Sequence, residues 1–151
     1  MTDRYCRLYL PGGVKIRQVR DVIGILAGLP VRRVEKPTPA IWIKVVGVYE
    51  ENTTQVGFAK IKLAGQMVDG EEKHEVYYDF ETPSGEKKIS VKSSPFWQAI
   101  CRRLVEFFGG RLDLNDIEGE GDDIVVEPRE RTLEELNLEL LNLRPLTEDE
   151  L

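Results

Sequence analysis

The sequence predicts an α+β fold: a mainly antiparallel sheet with two helices packed on one face and an acidic C-terminal appendage. Three observations predict it. Residues 74–110 read as strand, turn, strand and helix, the N-terminus reads as strand then helix, and the charge changes sign near residue 112. A chain of 151 residues is expected to form one main domain, which we place at 1–128, with the appendage at 129–151.

The N-terminal segment predicts a strand followed by a helix. Residues 5–10 alternate in polarity, and Pro11-Gly12-Gly13 interrupts that pattern. Residues 14–27 then place apolar side chains at helical spacing, with Gly28 as the expected cap. A glycine-rich turn before a helix can bind an anion, but no phosphate-binding motif is present, so a plain turn is predicted.

The middle of the chain predicts two further strands. Residues 40–50 are apolar at nearly every position, which is typical of a central strand covered on both faces. Residues 51–53 are expected to form a turn into a strand at 54–63, with a bulge near Gly57 because the apolar parity changes there. Residues 64–72 are expected to be a loop.

Residues 73–110 give the clearest signals. Strict alternation at 73–82 predicts a strand, and Pro83 and Gly85 suit the turn that leads to a return strand around 88–92. Ser94 is expected to cap a helix that ends at Gly109 and Gly110. The residues predicted to be almost fully buried are Phe80, Trp97, Leu104 and Ile43.

The C-terminal quarter is strongly acidic. From Asp113 to Leu151 there are 14 acidic and 3 basic residues, so this part carries −11 and the rest of the chain +5. Residues 124–126 predict a short strand. Thr132 and Glu135 have the spacing of a capping box, which predicts a helix, although alternating leucines leave a strand open. Residues 146–151 are expected to fray.

Composition restricts the class of protein. No apolar run approaches the roughly 20 residues of a membrane span, and the N-terminus lacks the apolar core of a signal peptide. Cys6 and Cys101 are expected to be reduced core residues, because two separated cysteines do not make a disulfide framework. We therefore expect a cytoplasmic protein that does not associate with membranes.

No catalytic or cofactor-binding constellation is evident. The lone histidine, His74, is expected to be structural, and with two separated cysteines it supplies too few ligands for zinc. An acidic loop has the spacing of a calcium-binding loop but carries glutamates where aspartates belong and lacks a helix after the loop, so a solvated loop is predicted. Its candidate ligands are Asp116, Glu118, Glu120 and Glu127.

These observations favour a non-enzymatic interaction or regulatory module that binds a protein partner, or a second copy of itself, through its C-terminal leucines. Those residues are Leu133, Leu136, Leu138, Leu140, Leu141 and Leu143. Deleting 129–151 is expected to leave a folded domain that has lost its partner. One alternative is a nucleic-acid-binding protein that uses Arg17, Arg20, Arg32, Arg33, Arg102 and Arg103. Another is an enzyme whose site assembles from distant residues.

Overall fold

The computed structural model describes residues 4–28, 47–53, 58–68, 71–79, 84–113 and 123–147. Seven strands and three helices lie within these ranges. The strands are β1 (Tyr5–Leu10), β2 (Gly47–Thr53), β3 (Phe58–Val68), β4 (Glu71–Asp79), β5 (Lys87–Lys92), β6 (Gly110–Asp113) and β7 (Ile124–Val126). The helices are α1 (Ile16–Ala27), α2 (Pro95–Phe108) and α3 (Leu133–Asn142).

The described strands form one sheet in the order β2-β3-β4-β5-β1-β6-β7. Every neighbouring pair is antiparallel. The N-terminal strand therefore lies in the interior of the sheet, where Cys6 pairs with Val91 on β5 and Leu8 pairs with Leu112 on β6. The predicted mixed α+β fold with an antiparallel sheet is confirmed.

The core forms where alternating strand residues meet the helices. On β1 the buried residues are Cys6, Leu8 and Leu10, and their neighbours on the strand remain partly exposed. Helix α1 contacts β2 and α2, while α2 contacts β1, β6 and β7. Trp97 and Leu104 are each 1% exposed, which confirms two of the predicted core positions, whereas Ile43 and Phe80 lie outside the described residues.

The helix ends follow the local sequence signals. The Ser94 hydroxyl accepts a hydrogen bond from the backbone N–H of Trp97 at 3.2 Å, so it caps the first turn of α2. Gly28 ends α1 with φ 71°, a left-handed conformation that glycine adopts without a Cβ clash. Val14 N–H donates to the Pro11 carbonyl at 3.0 Å, which makes the glycine-rich segment a turn, as predicted.

Two sequence predictions in the middle of the chain are wrong. Residues 51–53 belong to β2 rather than to a turn, and most of the expected 64–72 loop belongs to β3 and β4. The two strands continue because their register holds from Phe58 to Ala64 and shifts only between Ala64 and Val68. Residues 40–46 of the expected central strand lie outside the described residues, and its described part belongs to β2, the end strand of the described sheet.

Gly110–Asp113 forms β6, a strand that the sequence analysis did not predict. Its single buried apolar residue is Leu112, so the alternating signal was too short to detect. The strand exists because β1 offers a backbone edge for it to pair with. The short strand predicted at 124–126 is confirmed as β7, which pairs with β6.

Candidate functional site

The C-terminal segment, residues 127–147, contains the helix α3, where the leucine pattern also leaves a strand open. The Thr132 hydroxyl accepts a hydrogen bond from Glu135 N–H at 3.1 Å, and the Glu135 carboxylate accepts one from Thr132 N–H at 3.4 Å. These two bonds are the reciprocal pair of a capping box, and they satisfy two backbone donors that would otherwise lack partners. The helical interpretation of the leucine pattern is therefore correct.

Arg131 attaches this segment to α2. Its guanidinium donates a hydrogen bond to the backbone carbonyl of Phe107, lies 4.9 Å from the centroid of the Phe107 ring, and forms an ion pair with Glu139. The side chain is 7% exposed, so these contacts replace water around a nearly buried cation. Arg129 also pairs with Glu139, at 3.1 Å, but its side chain is 65% exposed.

The inner face of α3 and the residues after it pack on the domain. Leu136, Leu140 and Leu143 are half-buried and lie three and four residues apart, which places them on one side of the helix. Leu140, Leu143 and Leu146 contact the hydrophobic core, and Leu146 N–H donates to the Leu26 carbonyl at the end of α1 at 2.8 Å. Three of the six predicted partner-binding leucines, which we call the inner leucines, are therefore half-buried: Leu140 and Leu143 pack against the core, and Leu136 is partly covered.

The other half faces solvent. Leu133, Leu138 and Leu141, which we call the outer leucines, are 69%, 56% and 74% exposed. At about 3.6 residues per turn, Leu138 and Leu141 lie on the opposite side of α3 from Leu136 and Leu140, whereas Leu133 lies on the same side as these two, at the N-terminal end of the helix. Exposed carboxylates at Glu130, Glu134 and Glu135 surround them. The result is a small apolar surface with an acidic rim on a helix that is fixed from behind.

A cleft of about 470 Å³ lies beside the start of this segment. Its lining includes Gln18 of α1, Phe108 of α2 and Leu136 of α3, together with Glu130 and Arg131. Among the described residues that line it there is no histidine, cysteine, serine or threonine, so these residues supply no nucleophile paired with a general base.

The described structure does not test the candidate ligands of the acidic loop as a group. Asp116, Glu118 and Glu120 lie outside the described residues, and Glu127 is exposed. Within the described ranges no group of three or more histidine, cysteine or acidic residues could hold a metal ion. No helix of the described chain is long and apolar enough to cross a membrane.

The arginines of the nucleic-acid alternative are divided between two helices. Arg17 and Arg20 lie on α1, Arg102 and Arg103 lie on α2, and Arg32 and Arg33 fall outside the described residues. Arg20 forms an ion pair with Asp21 at 2.9 Å, and Arg103 lies 3.9 Å from Glu106. These carboxylates partly neutralise the positive charge that a phosphate backbone would need.

A second cationic and aromatic region, which the sequence analysis missed, lies on β1 and β6. The Arg111 guanidinium is 4.2 Å from the centroid of the Tyr9 ring and 2.9 Å from the Asp123 carboxylate, which raises the pKa of Arg111. The alternation of β1 predicts that Tyr9 lies on the polar side of the strand. The sequence could not show that Arg111 lies beside it, because that contact depends on the pairing of β1 with β6.

Comparison of the chain with protein-family models, with curated proteins and with solved structures finds no significant match. The functional argument therefore depends on the residues and their geometry.

Proposed function

We propose that this protein is a non-enzymatic interaction module that binds a protein partner through the outer leucines of α3. One observation carries the proposal: α3 is held against the domain by Arg131 and its inner leucines, while Leu133, Leu138 and Leu141 remain 56–74% exposed. Burying a large apolar side chain contributes roughly 1.5–3 kcal/mol, so the exposed leucines of α3 can supply the centre of an interface. A helix already fixed in place loses little conformational entropy on binding.

The acidic rim favours a partner with basic residues around an apolar patch. Glu130, Glu134 and Glu135 would meet such residues at the edge of the contact, where charge complementarity speeds association and selects the partner. Two copies of α3 would instead bring like charges together, with Arg144 as a compensating cation. A heterologous partner is therefore the first expectation, and self-association is the alternative outcome of the same experiment.

The proposal also covers how the helices pack on the sheet and in which cellular compartment the protein works. The sheet carries α1 and α2 on one face, and the acidic appendage lies outside these helices. Alternating burial on β1 and the contacts of α2 with β1 and β6 support this arrangement. Free, buried thiols at Cys6 and Cys101 are typical of a reducing compartment, which supports a cytoplasmic location.

The test changes the exposed leucines without changing the leucines that pack on the core. Leu133→Gln, Leu138→Gln and Leu141→Gln are combined in one variant, because glutamine keeps helix propensity while removing apolar surface. Affinity capture from the source cells is compared with the unchanged chain, and light scattering reports the mass in solution. The expected result is an unchanged melting temperature with loss of the captured partner, or of the dimer. Capture of the same proteins by both chains would contradict the proposal.

Truncation at residue 128 is a less specific test. It removes the outer leucines but also takes Leu140, Leu143 and Leu146 away from the core. A lost partner could then reflect a weakened domain rather than a missing interface. The triple glutamine variant separates these two causes, because it leaves the inner contacts in place.

Nucleic-acid binding is the second candidate function. The contact of Arg111 with Tyr9 favours it, since a stacked guanidinium and an aromatic ring are groups on which bases stack. The paired carboxylate of Asp123 works against it. Titration with fluorescent single-stranded RNA and DNA at increasing salt distinguishes the two functions: affinity that falls steeply with salt supports nucleic-acid binding, and absence of binding at low salt excludes it.

A further inference from the structure

The sheet carries tyrosines and basic residues on the side that faces away from the hydrophobic core. The core positions of β1 are its even-numbered residues, so Tyr5, Arg7 and Tyr9 point to the opposite side and remain partly exposed. Register partners lie on the same side of a sheet, so Lys88, opposite Tyr9, and Lys92, opposite Tyr5, belong to this side as well. We call the side defined by these five residues and their register partners the polar face.

The polar face continues onto β6, β7 and β4. Arg111 of β6 is the register partner of Tyr9, and Val125 of β7 is the partner of Arg111 and is 69% exposed. Tyr77 of β4 lies on the same face, two strands away from β1. Adjacent strands are about 4.8 Å apart and residues along a strand about 3.3 Å, so Tyr5 and Tyr9 are roughly 13 Å apart and Tyr77 is roughly 10 Å from β1. Three tyrosines are thus spread over one surface.

Guanidinium groups lie beside two of these rings. The Cζ atom of Arg111 is 4.2 Å from the centroid of the Tyr9 ring, and that of Arg7 is 6.0 Å from the centroid of the Tyr5 ring. Both distances fall within the range of cation–π contacts. Aromatic rings and guanidinium planes are the groups on which unpaired nucleobases stack, and the same cations attract the phosphates between the bases.

The polar face holds more basic than acidic residues. Across the regular register of β1 to β6, the basic residues at its positions are Arg7, Lys60, Lys62, Lys73, Lys88, Lys92 and Arg111. The acidic residues at its positions are Glu51, Glu75, Asp79 and Asp113. The excess stays positive when Asp123, which pairs with Arg111, is counted with the acidic residues. This charge complements a phosphate backbone.

We propose that the polar face of the sheet binds single-stranded nucleic acid, with bases stacked on Tyr5, Tyr9 and Tyr77 and phosphates held by the basic residues between them. A duplex keeps its bases paired inside and would use only the charges, so the rings select a single strand. The inference rests on nucleic-acid binding, the second candidate function above. It assigns that function to the sheet rather than to the arginines of α1 and α2, and it does not depend on α3.

The experiment titrates the full-length chain with fluorescent single-stranded RNA and DNA about 16 nucleotides long, and with the matching DNA duplex, at increasing salt. The chain should bind at least one of the single strands more tightly than the duplex, because only unpaired bases expose their faces. Tyr9→Thr, which keeps strand propensity, should weaken single-strand binding roughly tenfold or more. Equal affinity for duplex and single strand, or an affinity that a folded Tyr9→Thr protein retains, would overturn the proposal.

A lysine variant keeps the proposal testable if Tyr9→Thr folds poorly. Lys88→Gln and Lys92→Gln, combined, should reduce the slope of log affinity against log salt by about 1.4, since each phosphate contact contributes about 0.7 on a single strand. An unchanged slope would show that these lysines do not contact phosphates and would contradict binding at this face.

The helix arginines are the competing site. Arg17→Gln and Arg103→Gln, combined, should leave single-strand affinity unchanged. A loss in this variant, with none in the sheet variants, would overturn the assignment to the sheet while nucleic-acid binding itself stands. Absence of binding to any strand at low salt would overturn both. The triple glutamine variant of α3 should bind the strands like the unchanged chain, which separates this test from that of the protein partner.

Discussion

Arg131 and Glu139 form an ion pair that joins the start of the C-terminal segment to the middle of α3, and Arg131 is at the same time hydrogen-bonded to the carbonyl of Phe107 on α2. One side chain thus connects the segment to itself and to the domain. Because the Arg131 side chain is only 7% exposed, its positive charge depends on these protein partners rather than on water. This attachment leaves the opposite face of α3 available for a partner.

Replacing Arg131 should destabilise the segment far more than replacing its neighbour. Arg131→Met removes the ion pair and leaves the Phe107 carbonyl without this donor, so we expect a loss of about 1.5–3 kcal/mol in the free energy of unfolding. Arg129→Met is the matched control, because Arg129 pairs with the same Glu139 from an exposed position, and it should lose about 0–1 kcal/mol. Urea denaturation measures both. Equal losses would show that burial of Arg131 does not matter.

Leu104 should contribute to stability through core packing. It is 1% exposed on α2, so Leu104→Ala leaves a cavity and should lower the free energy of unfolding by about 2–5 kcal/mol. Leu141→Ala is the control, because Leu141 is 74% exposed and its truncation should change stability by about 0.5 kcal/mol or less. A Leu104→Ala loss as small as that of the control would contradict the register of α2.

Gly110 should not tolerate a side chain. Its φ is 117°, and an added Cβ would lie 2.1 Å from the backbone oxygen of Tyr9 on the adjacent strand β1. Gly110→Ala is therefore expected to lose about 3 kcal/mol or more, from backbone strain and from displacement of β6. Gly13→Ala serves as the control, since a Cβ there meets no atom within 4 Å. Thermal melts of the two variants should differ by several degrees, and similar melts would exclude the close approach of β6 to β1.

Tyr78 should make stability fall at high pH. Its hydroxyl donates to the Val14 carbonyl at 2.5 Å, and burial raises its pKa from 10.0 to about 12. Because the folded-state pKa is the higher one, the neutral phenol favours folding below pH 10, and this contribution is lost as the pH rises through about 12. Spectrophotometric titration should show a late-titrating tyrosine that Tyr78→Phe removes. A Tyr78→Phe protein with an unchanged titration curve would contradict this burial.

Local sequence signals predicted the elements with strong periodicity or caps. Strand β1, helix α1, the Ser94 cap and the capping box at Thr132 all appear where the pattern places them. These features depend on contacts within a few residues, which a sequence shows directly.

Features that depend on distant pairing could not be predicted. Strand β6 forms because it pairs with β1, and its four residues are too few to show a strand pattern in the sequence. The division of the leucines into inner and outer sets follows from how the C-terminal segment packs against the core. The sequence pattern identified all six leucines as candidates, but only the tertiary structure shows which of them are half-buried and which are exposed.

Site-specific photo-crosslinking tests the central claim, that the outer face of α3 binds another protein, most directly. A photoreactive amino acid is placed at position 138, and in a separate control at position 140, where Leu140 packs against the core. Irradiation in the source cells should join the chain to a defined protein, or to a second copy, from position 138, while position 140 should give links within the chain. Absence of any intermolecular product from position 138, in cells where position 140 gives its internal product, would contradict the account.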